Sequence, residues 1–189
     1  VTGEGEIFFK GIRVGHNGDE FEILKFATML KDSPNIGTGT LTIANDPRVL
    51  PFGRILRKLK INELPQLMNV LMGHMSLVGP RPQSRRNFEA YSAEVQKQIV
   101  AVRPGLTGLA SLVFRDEERF LLEADNPDEF YDQEIMPYKG AVEAWFVENL
   151  GFKLYVKVIG ITALVLLFKV RLPIRNIFRG MPRHPIFTG

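Results

Sequence analysis

Residues 55–82 read ILRKLKINELPQLMNVLMGHMSLVGPRP, and the way this stretch divides decides the fold. Ile55, Leu56 and Leu59, then Leu67, Met68 and Leu71, recur at three- and four-residue steps, the spacing of amphipathic helices. Pro65 stands between the two groups. Proline cannot continue a preceding helix but suits the first turn of a new one, so the pattern predicts two helices with a break at Asn62-Glu63. At such a break both side chains and free amides can face a ligand.

Upstream, Glu6–Ile12 (EIFFKGI) and Glu20–Met29 (EFEILKFATM) read as strands, the second with Phe21, Ile23, Lys25 and Ala27 on one face. Between them Asn17-Gly18 supplies the positive-φ residues of a tight hairpin turn. Residues 33–47 (SPNIGTGTLTIANDP) are rich in Gly, Thr, Asn and Pro and predict a loop. Downstream, Ser84 caps an expected helix whose apolar face is Phe88, Tyr91, Val95, Ile99 and Val102, ended by Pro104-Gly105. A further helical region starts near Asn126-Pro127, is interrupted at Pro137, and resumes through Val142, Trp145, Phe146 and Asn149. The expected fold is α+β: a mostly helical single domain with a small N-terminal β-hairpin and interfacial amphipathic helices. Its catalytic part is expected over residues 1–168, with a basic tail over 169–189.

The chain has 189 residues, 45% of them hydrophobic and 24% charged, enough for one domain with a real core. It contains no cysteine, which excludes disulfide frameworks, thiolate zinc sites and cysteine nucleophiles. His16, His74 and His184 are far apart, which argues against a histidine-built metal site. Net charge is +3, but residues 169–189 carry +5 with no acid and the remainder −2. Basic residues set beside aliphatic ones suit a membrane surface better than nucleic acid, whose binders interleave stacking aromatics. The longest apolar run, Val158–Phe168 (VIGITALVLLF), falls short of the roughly 20 residues needed to cross a bilayer.

The chemistry gathers in residues 62–82. Glu63, at a helix break, is followed eighteen residues later by Arg81, set between Pro80 and Pro82. Prolines on both sides restrict the backbone around Arg81, and a guanidinium can hold phosphate oxygens through two parallel hydrogen bonds. An acid and such a clamp would suit a metal-bound phosphate.

The segment NELPQLMNVLMGHMSLVGPRP closely resembles the signature of the bacterial sugar transferase family, the monotopic phosphoglycosyl transferases. The resemblance continues through Glu4–Met29, Asn45-Asp46-Pro47-Arg48, Gly53-Arg54-Ile55-Leu56-Arg57 and Arg103-Pro104-Gly105-Leu106-Thr107-Gly108-Leu109, covering residues 4–165. Each motif alone is weak; their order and spacing together are specific. The resemblance implies transfer of a phosphosugar from a nucleotide-diphosphate sugar, with UDP the expected nucleotide, to polyprenyl phosphate. Nucleoside monophosphate is released, and Mg²⁺ is the implied cofactor. It also implies an Asp-Glu pair in which the aspartate attacks the β-phosphorus and the glutamate helps bind the metal. Here the aligned pair is Asn62-Glu63.

A carboxamide is a poor nucleophile, so Asn62 leaves three possibilities: an engineered trap, a variant in which Glu63 attacks, or direct attack by polyprenyl phosphate. The family's motif also implies that Lys25 lies near the diphosphate, while Ala27 replaces an arginine expected there. Arg81 is the implied phosphate clamp and Glu63 the implied Mg²⁺ ligand. Asp46, Arg48 and Arg57 form either part of a phosphate-binding rim or a salt-bridge network. The turn at residues 103–108 either brings amides to phosphate or ends the preceding helix. Glu143 occupies a position where the family tends to carry an aspartate, and His74 is expected at the surface.

A lipid acceptor requires a site at the bilayer, on the cytoplasmic face of the bacterial inner membrane. Relatives use an N-terminal re-entrant helix hairpin ahead of the region where this chain begins. The candidates for membrane contact here are Val158–Phe168 and the tail, with Ile174, Ile177 and Phe178 on one stripe and Arg171, Arg175 and Arg179 on another. A solvated helix or a contact between copies of the chain is the alternative. Two other classes of function compete with the transferase: a catalytically silent homologue that binds nucleotide sugar or a partner enzyme, and a basic membrane-binding structural module.

Overall fold

The computed structural model describes residues 5–36, 46–115 and 117–187. The hairpin is as expected: β1 (Phe8–Val14) pairs antiparallel with β2 (Glu20–Phe26) in a register that sets Phe8 opposite Phe26 and Val14 opposite Glu20. Asn17 at φ 57° and Gly18 at φ 83° make the turn. Phe21 and Ile23 on one face of β2 pack on Met75, with Val70 and Leu106 around them. The second strand stops at Phe26, and Met29 makes only an isolated bridge to Val49. Most of the expected loop at 33–47 lies outside the described residues.

Helix α1 (Pro51–Lys58) and helix α2 (Gln66–Leu71) flank a 3₁₀ turn at Ile61–Glu63, the break that Pro65 foretells. A Cβ at Gly53 would fall on the Thr28 carbonyl, so a glycine lets α1 lie directly on the chain leaving β2. Strand β3 (Ser76–Val78) leads into Gly79-Pro80-Arg81.

Two helices follow in place of the expected single one. Ser84 caps α3 (Arg85–Glu89), and Ser92 caps α4 (Ala93–Ile99) by accepting from the Val95 amide. Phe88, Tyr91 and Ile99 still face the core, because the stripe carries across the restart, but Val102 lies beyond the helix. Strand β4 (Gly105–Thr107) pairs in parallel with β3, and a Cβ at Gly105 would meet the Gly79 amide nitrogen. The glycines of this turn therefore serve close approach of one backbone to another.

Short helices α5 (Leu109–Val113), α6 (Glu117–Glu123) and α7 (Pro127–Phe130) precede the central helix α8 (Met136–Glu148). Pro137 does not break the path as expected. A π turn over Tyr131–Ile135 joins α7 to α8, the local widening that accommodates a residue without an amide proton. Ile135, Met136, Val142 and Phe146 are fully buried, as are Leu109 and Val158.

Helix α9 (Phe152–Phe168) contains the apolar run, and among the described residues no helix is long and apolar enough to cross a membrane. Beyond it only α10 (Ile174–Ile177) is helical among the described residues. The tail's expected lipid-facing stripe is not formed: Ile174 and Phe178 are buried in the core with Met181 and Phe187. Phe187 stacks on Tyr138 at 5.5 Å and meets Phe114 and Phe120 edge-on at 5.1 Å. These ring contacts dock the segment onto the protein, and Arg175 joins it, donating to the His184 carbonyl at 3.1 Å and lying over the Tyr138 ring.

Candidate active site

Glu63 closes the 3₁₀ turn between α1 and α2. Lys60 just before it sits in the left-handed region at φ 58°, which reverses the chain. Lys25 comes from the face of β2 that also carries Phe21 and Ile23, and Arg81 from the proline-flanked loop after β3. All three meet at one oxygen: Glu63 Oε1 accepts from Lys25 Nζ at 3.2 Å and from Arg81 Nη2 at 3.4 Å. The structure thus brings together the acid and the guanidinium that stand eighteen residues apart.

Several bonds set this geometry. Asn69 is fully buried on α2; its Oδ1 accepts from the Leu24 amide at 3.0 Å and its Nδ2 donates to the Glu22 carbonyl at 2.7 Å. That clamp ties α2 to β2 next to Lys25. The Val14 amide donates to the Gln83 carbonyl, which fixes the hairpin to the chain just past Arg81. The Arg81 amide donates to Glu143 Oε1 at 2.9 Å from inside α8. Deeper still, Lys139 Nζ bonds Glu117 Oε2 at 2.6 Å and lies over the rings of Phe114 and Tyr131. Arg81 also lines a shallow recess with Val14, Gly15, Pro80, Gln83 and Phe88, which Glu63 and Lys25 do not reach.

Cations outnumber acids at the meeting point. Burial alone would push the Glu63 carboxyl up, but the charges of Arg81, Lys25 and Lys60 overcome it and hold the group at about 2. Burial lowers the Lys25 amine to about 8, opposed by Glu63 and assisted by Arg81 and Arg13. Arg13 is itself lowered, by burial and by Arg81. One carboxylate thus faces Lys25, Arg81 and Lys60, with Arg13 acting on Lys25 and Arg81, a surplus of positive charge suited to a multiply charged anion. Raising the pH through about 8 removes the Lys25 charge. Affinity for a nucleotide diphosphate should therefore fall across that interval, with proton uptake on binding. Calorimetry at pH 6.5 to 9.5 in buffers of different ionisation enthalpy reads both; flat affinity would exclude Lys25 from the anion site.

Asn62 is 8% exposed, and its Oδ1 is buried with no hydrogen-bond partner among the described residues. Among the described residues no group of three or more His, Asp or Glu forms a metal cage. Mg²⁺ needs only one or two protein oxygens when phosphates complete its shell. Glu63, with the buried oxygen of its sequence neighbour Asn62, supplies oxygens that would suit a cation arriving with a diphosphate.

The other expected phosphate ligands go elsewhere. Arg48, 3% exposed, bonds Asp46 Oδ2 at 2.6 Å and the carbonyls of Ser33 and Ile36. Arg57 donates to Thr28 Oγ1 and Met29 Sδ. Of the two readings open for Asp46, Arg48 and Arg57, their described bonds build the structural network, which staples the chain after β2. His74 is exposed, as expected.

Sequence reasoning misses Lys60, Arg13 and Asn69. The first two are lone basic residues without a motif, and only the left-handed backbone at Lys60 sets it apart. Asn69 lies inside the quoted segment but reads as one more polar helix residue. Glu143 is marked by resemblance alone, whereas the structure shows it 1% exposed, one oxygen on the Arg81 amide and the other without a partner among the described residues. Burial raises its carboxyl to about 7, with the Arg81 amide bond, Lys139 and Arg81 pulling the other way.

A family model described as bacterial sugar transferase matches residues 1–169. The exopolysaccharide production protein ExoY of Sinorhizobium fredii is 38% identical over 127 residues, which cover 60% of this chain and 56% of ExoY. The UDP-glucose:undecaprenyl-phosphate glucose-1-phosphate transferase of Caulobacter vibrioides is 45% identical over 112 residues, 57% of this chain and 41% of the relative. The UDP-N-acetylgalactosamine-undecaprenyl-phosphate N-acetylgalactosaminephosphotransferase of Aeromonas hydrophila is 38% identical over 128 residues, 64% and 30% of the two chains. The match spans about half the length of the first of these curated relatives and less of the other two. Lys25, Asn62, Glu63, Arg81 and Glu143 all fall inside the stretch covered by the family model, so the likeness takes in every element that builds the cluster, and the chain belongs to the bacterial sugar transferase family.

Proposed function

We propose that this chain transfers a phosphosugar from a UDP-sugar to undecaprenyl phosphate, releasing UMP, as a membrane step of exopolysaccharide or glycoconjugate synthesis. The observation that carries the reading is the convergence of Lys25 and Arg81 on Glu63 Oε1 within a surplus of positive charge. Lys25 and Arg81 hold the donor's diphosphate, and Arg81 presents a fork already positioned by its neighbouring prolines and by the Glu143 bond to its amide. Glu63 stays ionised across the physiological range and supplies the carboxylate toward Mg²⁺, which on binding would neutralise charge on the diphosphate. Incubating the chain with Mg²⁺, undecaprenyl phosphate and UDP-glucose or UDP-N-acetylgalactosamine, the donors in two relatives' names, should release UMP. Donor binding without release would favour the second reading, a catalytically silent homologue, which Asn62 supports.

The membrane face of this reading lies on α1 and α2 instead of the tail. Phe52, Ile55, Leu59, Met68, Leu71 and Met72 are each at least 50% exposed, with Arg54, Lys58 and Lys60 exposed among them. Apolar side chains rimmed by cations suit an anionic bilayer surface, and Glu63 sits on the turn joining these two helices. Docking by this face brings the cluster to the depth of a lipid phosphate, on the cytoplasmic side where nucleotide sugars are available. Leu71→Glu together with Phe52→Glu should lower retention on anionic liposomes in flotation several-fold. Unchanged retention would place the membrane face elsewhere.

A further inference from the structure

We infer that Ile7, just ahead of β1, and Phe9 on it seat the first isoprene units of the lipid acceptor and so hold its phosphate beside Lys25. The inference rests on the transferase reading and gives the acceptor a place at the same site. Alternate residues of a strand share one face, and residues paired across an antiparallel ladder share it too. The register sets Phe9 opposite Lys25, Gly11 opposite Ile23 and Arg13 opposite Phe21. The Ala27 amide donates to the Ile7 carbonyl at 2.9 Å, which carries the ladder one pair further. Ile7, Phe9, Gly11 and Arg13 therefore lie on the face of the hairpin that carries Lys25.

Phe21 and Ile23 on that face are covered by Met75, but Ile7 is 57% and Phe9 42% exposed. The Phe9 ring lies along the strand toward Arg13: a Cβ added to Gly11 would fall 2.9 Å from Phe9 Cε1 and 3.2 Å from Arg13 Nη1. Ring and guanidinium thus come together over a glycine, whose missing side chain leaves room for both. Arg13 and Arg81 both act electrostatically on Lys25. An apolar track accordingly ends on three cations, which matches a hydrocarbon chain carrying an anionic head.

The other end of the track opens where such a chain would come from. Gly53 lets α1 pack on the Thr28 carbonyl, one residue past Ala27, so the helix bearing the exposed Phe52 and Ile55 starts beside the Ile7 end of the hairpin. A hydrocarbon chain leaving a bilayer at α1 would cross Ile7 and then Phe9 before its phosphate reached Lys25. Covering these two side chains removes apolar surface from water, which is the source of the affinity.

The test measures UMP release by the full chain with Mg²⁺. Undecaprenyl phosphate is varied in mixed micelles at fixed detergent, and UDP-glucose or UDP-N-acetylgalactosamine is varied separately. Phe9→Ala should raise the acceptor KM about tenfold, with donor KM and retention on anionic liposomes unchanged. Phe9→Leu should restore most of the loss, since an isoprene contact asks for apolar volume and not for a flat ring. Ile7→Ser leaves the ring over Gly11 in place, where it also shields the strand backbone, and should raise the acceptor KM about threefold. A parental acceptor KM in both Phe9→Ala and Ile7→Ser would overturn the seat and leave the transferase reading standing. So would a loss confined to the donor KM and not restored by leucine, which would make Phe9 a platform for the base. A fall in liposome retention that accounts for the rise in acceptor KM would likewise overturn it, placing Phe9 on the bilayer face. No UMP release from the parent chain would overturn both.

Discussion

Glu63→Gln is expected to cut UMP release by about 100- to 1,000-fold while leaving UDP-sugar affinity unchanged or higher. The two effects separate because Glu63 plays opposite parts toward donor and transition state. Toward a bare diphosphate it is a repelling charge in a cluster of cations, so neutralising it lets Lys25 and Arg81 engage the anion fully. Toward the reacting phosphorus, in the proposed transfer, it is the carboxylate that would order Lys25, Arg81 and the cation carried by the donor. Glutamine keeps the shape and one acceptor oxygen but not the charge.

The same substitution removes the partner that raises the Lys25 amine, so that group should titrate below its present value of about 8. Stability should also respond, with a definite sign. The native carboxyl is depressed to about 2 from an ordinary 4.5, so its contribution is complete above the ordinary value and disappears as pH falls through about 2. The variant should lack that acid-dependent component. Steady-state UMP release, calorimetric donor binding and acid titration of unfolding check the three parts. Equal losses of affinity and turnover would make Glu63 a simple binding residue.

Much of this site is legible in the sequence because local chemistry and tertiary placement agree there. Pro65 forces a break, the break sets Glu63 on the turn between the two helices, and Pro80 and Pro82 stiffen the loop that presents Arg81. The hairpin is legible for a similar reason: Asn17-Gly18 imposes its turn whatever packs around it. The tail departs from expectation because periodicity reports an apolar stripe but not what covers it. Ile174 and Phe178 find the protein core, while Ile55 and Leu71, which lie on the apolar stripes of α1 and α2, stand exposed together with Phe52.

Asp46 and Arg48 show the converse. An acid and a base two residues apart are equally compatible with a ligand rim and with an internal staple, and only their burial at 2% and 3% separates the two. Glu143 lies 62 residues beyond Arg81, and no local rule connects a glutamate in the middle of α8 with a main-chain amide in a distant loop. Contacts of that kind are decided by how the layers stack, which neither residue's neighbours encode.

Arg81→Lys is the second large effect, and it tests geometry with the charge held constant. Lysine keeps a cation at the loop but replaces a planar fork with a flexible point charge, so two parallel bonds to phosphate oxygens can no longer form together. The backbone anchor survives, because Glu143 accepts from the main-chain amide at 2.9 Å and not from the guanidinium. The loop should therefore keep its position, and the loss should report the side chain alone. A fall of about 100-fold in kcat/KM is expected, expressed mainly in kcat, since a fork set for the transferring phosphoryl group stabilises the transition state more than the bound donor. Arg81→Ala should go further, because it also takes away the largest single charge holding Glu63 down. Its carboxyl should then move up toward the ordinary range, since burial pushes in that direction and only Lys25 and Lys60 would remain to oppose it. The pH profile of residual release should accordingly acquire an acid limb that the parent lacks near neutrality. An Arg81→Lys variant with parental kcat/KM would show that charge alone suffices at this position and that the forked contact plays no part in transfer.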